Sequence, residues 1–588
     1  MCGIAGMMTN DGSTPPAGAI DSMLASMAHR GPDGHGRYEA PGIALAQARL
    51  AIIDLQTGDQ PLFGPGGSVL VANGEIYNYV ELRHEFPGAN FATKGDCELP
   101  LYTYARDGAR YAHALRGMYG IGMQADRDVS YLTRDPFGIK PLYYAEYPGG
   151  VIFASEAQTI LKTGLVQRRI RDEAANELLQ LQFTTGRETI FAGIARVLPG
   201  ETIAVRGGKL AERRVEPALP DKPLLDLSEE DALKRLDAAL MDSVMVHQRS
   251  DVPYGLFFSG GIDSTAILAC MAKLNDRPVR AFTARFPETS KSEEASFARD
   301  MAKEVGAEHL EVEVTAAKFW AQMPAIAQAM DDPTSDYAIV PTYMLAEEAA
   351  KEMKVVLCGE GGDELFGGYG RYRSARRPWW LGGKQLRMRG FLDGTEVLRD
   401  TTRAWRDGIA AAERLPGNHA RTRVQQAQAV DCADWLPHDL LVKLDRCLMA
   451  HSLEGRTPML DPVVANLAYR LPDRFKINRG LGKYLLRRWL ERTLPGARPF
   501  APKRGFTVPV EEWIAARAGE LAPLVAKQEG IGAVCHADKV DALFRAYRGG
   551  DKRLGIACWQ LLFYALWHNI HARGVSAEGS VFDCLEAA

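Results

Sequence analysis

The stretch Tyr254-Gly255-Leu256-Phe257-Phe258-Ser259-Gly260-Gly261-Ile262-Asp263-Ser264 runs an apolar segment into two glycines, two hydroxyls and a carboxylate. It reads as strand, tight loop and helix start. Glycines let backbone approach a ligand, Ser259 and Ser264 offer hydroxyls, and the N–H groups opening the next helix favour an anion such as a phosphate. No Gly-x4-Gly-Lys-Ser/Thr occurs in the chain, which sets aside the usual γ-phosphate loop. Asp263 could instead hold a Mg²⁺ against phosphates, although the same residues also fit an ordinary strand-to-helix turn of a parallel sheet. A second glycine-rich acidic loop, Cys358-Gly359-Glu360-Gly361-Gly362-Asp363-Glu364, follows the short apolar run Val355-Val356-Leu357. There Asp363 could share the Mg²⁺, and Glu360 could take a proton from an incoming amine; the plain alternative is an acidic surface turn.

Different chemistry is suggested at the chain start. Methionine aminopeptidase removes Met1 when a small residue follows, which would leave Cys2 carrying both a thiol and a free α-amine. An α-amine titrates near 8, so one residue would hold nucleophile and base. Asn73-Gly74 follows the β-rich run Ser68–Ala72 and places a side-chain amide beside a glycine N–H, a pair suited to an oxyanion. Arg49 could clamp an α-carboxylate through two parallel bonds, and Asp96 could accept from an α-ammonium. Taken singly, each has a plainer reading: a hairpin turn, a surface charge and a helix N-cap.

The elements that must position these residues follow from pattern. Val197–Val205 with Gly207-Gly208 reads as a closing hairpin, and residues 216–228, with Pro217, Pro220 and Pro223, read as a linker. Ser228 and Asp231 start a helix whose Leu233, Leu236, Leu240 and Val244 share one face. Strand and helix then alternate: strand 255–258, helix 264–274, strand 279–286, helix 293–305, strand 309–314, helix 316–330, strand 355–357. This is an α/β pattern with a parallel sheet, whose ligands bind at the carboxyl ends of the strands. With 588 residues, 46% of them hydrophobic, the chain can bury more than one core. A formal charge of −4 argues against nucleic acid or an anionic membrane as partner. No apolar run reaches the roughly 18 residues a bilayer span needs, and the start lacks a signal-peptide pattern, so a soluble cytoplasmic protein is expected. Nine cysteines without a Cys-x2-Cys pair argue against a disulfide framework and against a structural zinc site.

As a set, Cys2-Gly3-Ile4, His29-Arg30-Gly31-Pro32-Asp33, Arg49-Leu50-Ala51-Ile52-Ile53-Asp54, Asn73-Gly74-Glu75-Ile76-Tyr77-Asn78 and Arg134-Asp135-Pro136-Phe137-Gly138 resemble the class II glutamine amidotransferases. Such domains are N-terminal-nucleophile hydrolases with αββα layers. The resemblance implies that Cys2 is the nucleophile, that Asn73 and Gly74 form the oxyanion hole, and that Arg49, Glu75 and Asp96 bind glutamine. Ser-Gly-Gly-Ile-Asp-Ser resembles the pyrophosphate loop of the ATP-pyrophosphatases. Together with Lys443-Leu444-Asp445-Arg446, the run Met449–Asp461 and Gly482-Lys483, it extends the likeness to glutamine-hydrolysing asparagine synthetases over nearly the whole chain.

That likeness implies a glutaminase domain over 2–215, a linker over 216–228 and a synthetase domain with a helical tail over 229–588. It also implies ATP contacts at Phe257, Ser259, Gly260, Gly261, Asp263, Ser264, Ala284, Cys358 and Gly359, Mg²⁺ at Asp263 and Asp363, and catalytic roles for Glu360 and Lys483, the lysine reaching the α-phosphate. The substrates implied are glutamine, ATP and aspartate, and a homodimer is compatible with the likeness. Lys503-Arg504-Gly505-Phe506 and the helices around Trp559–Trp567 are similar to the longer branch of the family. One departure concerns the acceptor: where compact members carry a base, Thr334–Pro341 has none. The rivals are therefore an amidotransferase for another carboxylate, a cyclising synthetase, against which the intact glutaminase residues speak, and a silent scaffold that binds glutamine and nucleotide without turnover.

Overall fold

The structure is a computed structural model. It describes every residue except Met1, Ala17, 288–292, 378–385, Arg403, 415–420, 502–507 and Ala588, and omits the side chains of 293–295. The segment Lys503-Arg504-Gly505-Phe506 lies outside the described residues.

The first third holds two six-stranded antiparallel sheets. In one, Gly3–Thr9 sits between Gly150–Ala154 and Ile43–Arg49. In the other, Val69–Ile76 lies between Leu62–Phe63 and Gly117–Gln124. Side chains alternate across a strand, and here both faces are apolar. Ile4, Met8, Ile43, Leu45, Val69 and Val71 fill the space between the sheets. Ala5, Met7, Ala44 and Ala46 face a helix, Ala19–Ser26, while Leu70, Ala72 and Ile121 meet Leu99–Asp107 on the opposite side. The result is an αββα stack. The strand expected to stop near Ala72 runs on through Ile76, so Asn73-Gly74 belongs to a strand and makes no hairpin turn.

The hairpin Glu201–Arg206 and Lys209–Val215 closes this part, and 216–227 contains neither helix nor strand. The helix Glu229–His247 then starts at Ser228, whose side chain accepts from Asp231 N, and buries Leu233, Leu236, Leu240 and Val244. Next comes a five-stranded parallel sheet ordered Glu308–Glu313, Arg280–Arg285, Tyr254–Phe257, Val355–Leu357, Glu454–Arg456. The chain leaves Tyr254–Phe257 toward one edge and returns to its other side, so the strand order switches between Tyr254–Phe257 and Val355–Leu357. In open α/β sheets ligands bind at such a switch, and the two glycine-rich loops leave these neighbouring strands at their carboxyl ends.

Helices Val510–Ala526, Ala537–Arg548 and Gly555–His571 form the C-terminal region. Trp559 and Trp567 are fully buried, and their indole N–H groups donate to Ser335 O at 2.6 Å and Met330 O at 2.7 Å. The tail thereby braces the segment 330–335, which leads into helix Ile339–Ala349.

Helix Asp172–Leu181 carries Glu177 against this second half. Burial pushes its carboxyl up to about 7, above the ordinary 4.5. Stability from the neutral form is complete below the ordinary carboxylate range and is lost as pH rises through 7, since the folded chain then holds a buried charge. We expect Glu177→Gln to be more stable than wild type at pH 8, by about 1–3 kcal/mol, and equal to it near pH 4. Urea midpoints recorded across that range check this; parallel curves for the two proteins would refute it.

Candidate active sites

Cys2 is 8% exposed, and its backbone nitrogen donates to Asn73 Oδ1 at 3.1 Å. Burial raises the thiol above its ordinary value, so a base must lie close by. Asn73 is fully buried, and its Nδ2 donates to no described residue. A donor left open beside a nucleophile is what an oxyanion hole needs. Gly74 has φ 156°, and a Cβ there would collide with Met118 O and approach Tyr119 Cα at 2.6 Å. Only glycine lets this strand run so close to its neighbour.

Glu75 and Asp96 are both buried. Burial, reinforced by the Glu454 carboxylate, holds Glu75 well above the usual carboxylate range, while burial raises Asp96, whose Oδ2 accepts from Ile76 N at 2.6 Å. Neither is the N-cap of the following helix, which begins after Glu98. Arg49 is buried too, so the surface-charge reading fails. Its guanidinium is held by Asp59 at 2.7 Å and by Asp54 O at 2.5 Å, and Asp59 itself is 80% exposed. Cys2, Arg49, Gly74, Glu75 and Asp96 line one cavity of about 40 Å³. That volume holds a few waters at most, so a larger occupant requires the Arg49–Asp59 side to open.

The second site is larger. Phe257, Ser259, Gly260, Gly261, Asp263, Ser264, Ala284, Cys358, Gly359, Glu360, Asp363 and Lys483 all line one cavity of about 730 Å³, within the range of small-molecule pockets. Helix Ile262–Leu274 points its N-terminus at this space, and Ser259 Oγ lies 3.2 Å from Ser264 Oγ. Lys483 takes the left-handed conformation, φ 56°, just before helix Tyr484–Thr493. Its ammonium contacts Asp263 Oδ2 and lies 2.8 Å from Asp363 Oδ1. Burial alone would lower this ammonium, but Asp263 and Asp363 raise it overall. Gly362 and Gly368 leave no room for a Cβ beside Asp263 and Asp363 respectively, which explains the glycine density of the second loop.

Sequence reading did not foresee which residues join the two sites. Arg30 is fully buried and forks onto Asp445 at 2.9 and 3.1 Å, while also reaching Glu156 at 2.8 Å and Cys2 O at 3.3 Å. Arg446 binds Asp331 and Asp445 at 2.6 and 2.8 Å. Arg456 lies between Glu454 at 2.6 Å and Glu75 at 3.2 Å. Full burial of Arg446 and Arg456 gives both a structural role. The signal available was Arg30 and Asp445 as motif members, but the pairing spans 415 positions. Lys443 was also missed; it brings a base to Thr334–Pro341 from another helix, 3.0 Å from Asp336.

An αββα unit with Cys2 beside Asn73, joined to a parallel-sheet unit with a glycine-rich loop at its switch point, is the architecture of an amidotransferase joined to a ligase. The glutamine amidotransferase domain model matches residues 1–215, and the asparagine synthase model matches 235–569. Over 97% of either chain the protein is 36% identical to the Mycobacterium bovis protein named "Putative asparagine synthetase (glutamine-hydrolyzing)". It is 32% identical, with the same coverage, to asparagine synthetase (glutamine-hydrolyzing) 1 of Bacillus subtilis. A Penicillium rubens protein named amidase chyE is 30% identical over 64% of this chain and 60% of its own. The chain belongs to the glutamine-hydrolysing asparagine synthetase family and is a ligase. Among the described residues, no helix is long and apolar enough to cross a membrane.

Proposed function

We propose that the chain makes asparagine from aspartate, ATP and glutamine, with a glutaminase domain over 2–215, a linker over 216–228 and a synthetase domain over 229–588. The observation that carries this reading is the meeting of Asp263, Asp363 and Lys483 at the switch point of the parallel sheet, in a cavity that also holds Glu360. With Met1 removed, the nitrogen now bonded to Asn73 Oδ1 is the α-amine of Cys2. It takes the thiol proton while sulfur attacks the carboxamide carbon of glutamine, and Asn73 Nδ2 with Gly74 N–H holds the oxyanion. Ammonia leaves, and water hydrolyses the thioester to glutamate.

Glu75 and Asp96 receive the substrate ammonium. Burial pushes both carboxyls up even though Arg456 lies 3.2 Å from Glu75, so an arriving ammonium favours their charged forms and is bound by doing so. Arg49 exchanges the exposed Asp59 for the α-carboxylate of glutamine. In the larger cavity an oxygen of the aspartate side-chain carboxylate attacks the α-phosphorus and pyrophosphate leaves. Lys483 offsets the charge that develops there. Ammonia then attacks the acyl adenylate, Glu360 takes a proton, and AMP departs.

Two carboxylates close enough to share one ammonium form a hard-oxygen donor set. Among the described residues no group of three or more His, Cys, Asp or Glu could hold a metal. This fits Mg²⁺ only in the mode that leaves most of its coordination shell to phosphate and water. Asp263 and Asp363 would hold it, and when bound it would neutralise phosphate charge.

With ¹⁸O in the side-chain carboxyl of aspartate, one label should appear in AMP and asparagine should form; ADP as the product would contradict the scheme. AMP and product from a different carboxylate, with none from aspartate, would leave only the glutaminase and adenylation assignments standing.

Cys2→Ala should abolish glutamine-dependent synthesis and leave synthesis from ammonium salts at high pH. Full glutamine-dependent activity in that variant would remove Cys2 from the mechanism. Asp263→Asn and Asp363→Asn should each cut pyrophosphate formation by about 100-fold or more even with ammonia supplied, while glutamine hydrolysis persists. Either variant working at the wild-type rate with saturating magnesium would overturn the assignment for that residue.

A further inference from the structure

Lys443 projects from helix Leu441–Met449 into the wall of the larger cavity beside Glu360. Its side chain is 5% exposed, and its ammonium lies 3.0 Å from Asp336 Oδ2 and 3.8 Å from Glu360 Oε1. Burial alone would lower this ammonium; Asp336, Glu360 and Asp439 raise it overall. The carboxylates are less covered, with Asp336 22% and Glu360 30% exposed. A buried cation is therefore held by anions that solvent can reach.

The segment carrying Asp336, next to the cavity-lining Ala338, is fixed from several sides. Ser335 N donates to Gln182 O at 2.8 Å, Trp559 Nε1 donates to Ser335 O at 2.6 Å, and Thr334 Oγ1 donates to Asp439. Tyr337, one residue further on, is drawn to the C-terminal helices by a bond from its hydroxyl to Glu511 Oε1 at 2.9 Å. Asp336 thus faces Lys443 on a braced segment, while the neighbouring tyrosine is occupied elsewhere.

A cation that lines the cavity and a part-exposed anion 3.0 Å from it match the α-carboxylate and α-ammonium of an amino acid, which carry the opposite charges on one carbon. Exchanging an internal ion pair for two crossed pairs keeps every buried charge compensated, which avoids the large cost of exposing either partner to an apolar wall unpaired. The reacting carboxyl of aspartate would then lie beyond the α-carbon, on the side of Glu360 and the phosphate loop. We propose that Lys443 and Asp336 are the residues that select the acceptor, Lys443 binding its α-carboxylate and Asp336 its α-ammonium. The proposal rests on the adenylating reading of this cavity and deepens it: the acceptor is a free α-amino acid, and a carboxylate lacking either charged group is rejected because it leaves Lys443 or Asp336 unpaired.

Pyrophosphate release by the full chain with ATP, magnesium and ammonium salts tests this with three acceptors. Succinate is L-aspartate without the ammonium, and β-alanine is L-aspartate without the α-carboxylate. Wild type should prefer L-aspartate to both in kcat/KM by about 100-fold or more. Lys443→Gln should narrow the preference over β-alanine by about tenfold or more, and Asp336→Asn should do the same for the preference over succinate. In each variant the KM for ATP should move by less than about twofold, and Lys443→Arg should keep the preference over β-alanine. Equal losses on all three acceptors would overturn the assignment in favour of a structural ion pair. Wild type using succinate or β-alanine within about tenfold of L-aspartate would overturn it without any variant. Wild type that releases no pyrophosphate with L-aspartate, but does with another carboxylate, would sink the underlying acceptor reading itself, and this is visible before any variant is made.

Discussion

Two reaction sites built on different sheets must keep a constant relation, and the buried ion network around Arg30 supplies it. Arg30 comes from the N-terminal half, touches the carbonyl of Cys2 and forks onto Asp445 of the second half. Asp445 shares the helix Leu441–Met449 with Lys443 and Arg446, so one element reaches Cys2 by way of Arg30 and the larger cavity through Lys443. Charges this deeply buried gain little net stability over an apolar replacement, but losing one partner leaves the other uncompensated at a cost of about 3–5 kcal/mol. Relative displacement of the halves would break the pairing, and that is the constraint on their geometry.

A second buried connection runs through Arg456. It lies on the edge strand Glu454–Arg456 of the parallel sheet, whose neighbour Val355–Leu357 leads directly into Cys358-Gly359-Glu360. Its guanidinium faces Glu75, which lines the Cys2 cavity. The two sites therefore share a strand boundary as well as a helix. An apolar core containing residues from both halves fills much of the remaining space, with Ala46, Tyr143 and Leu178 in the same cluster as Val356 and Leu444.

The larger cavity shows how acidic loops coexist without mutual repulsion. Asp263 and Asp363 approach each other because Lys483 sits between them, and glycines beside the carboxylates leave the space they need. Lys443 does the same for Asp336 and Glu360. In both places a lysine with almost no solvent contact holds two carboxylates at the edge of a water-accessible space. The arrangement keeps charge available to a ligand at a lower desolvation cost than bare carboxylates would carry.

Much of this was legible in residue order because it depends on local rules. Strand–loop–helix alternation, the glycine-rich loops after apolar runs, the Ser228 cap and the one-faced helix behind it all arise from periodicity and backbone preference within a dozen or so residues. The αββα stack and the parallel sheet were read from motif resemblance and from alternation, and the comparisons support both. Tertiary structure alone decided which distant residues meet. Asn73-Gly74 has the composition of a turn, yet pairing with Gly117–Gln124 extends it as strand. Arg446 and Arg456 gain their ion partners from 115 and 381 positions away, which residue order does not reveal. The segment Thr334–Pro341 lacks a base in sequence and acquires one from Lys443, 107 positions on. Local propensity has no term for such encounters, because a charge is stabilised in an interior only by whichever partner the packing of whole elements brings to it.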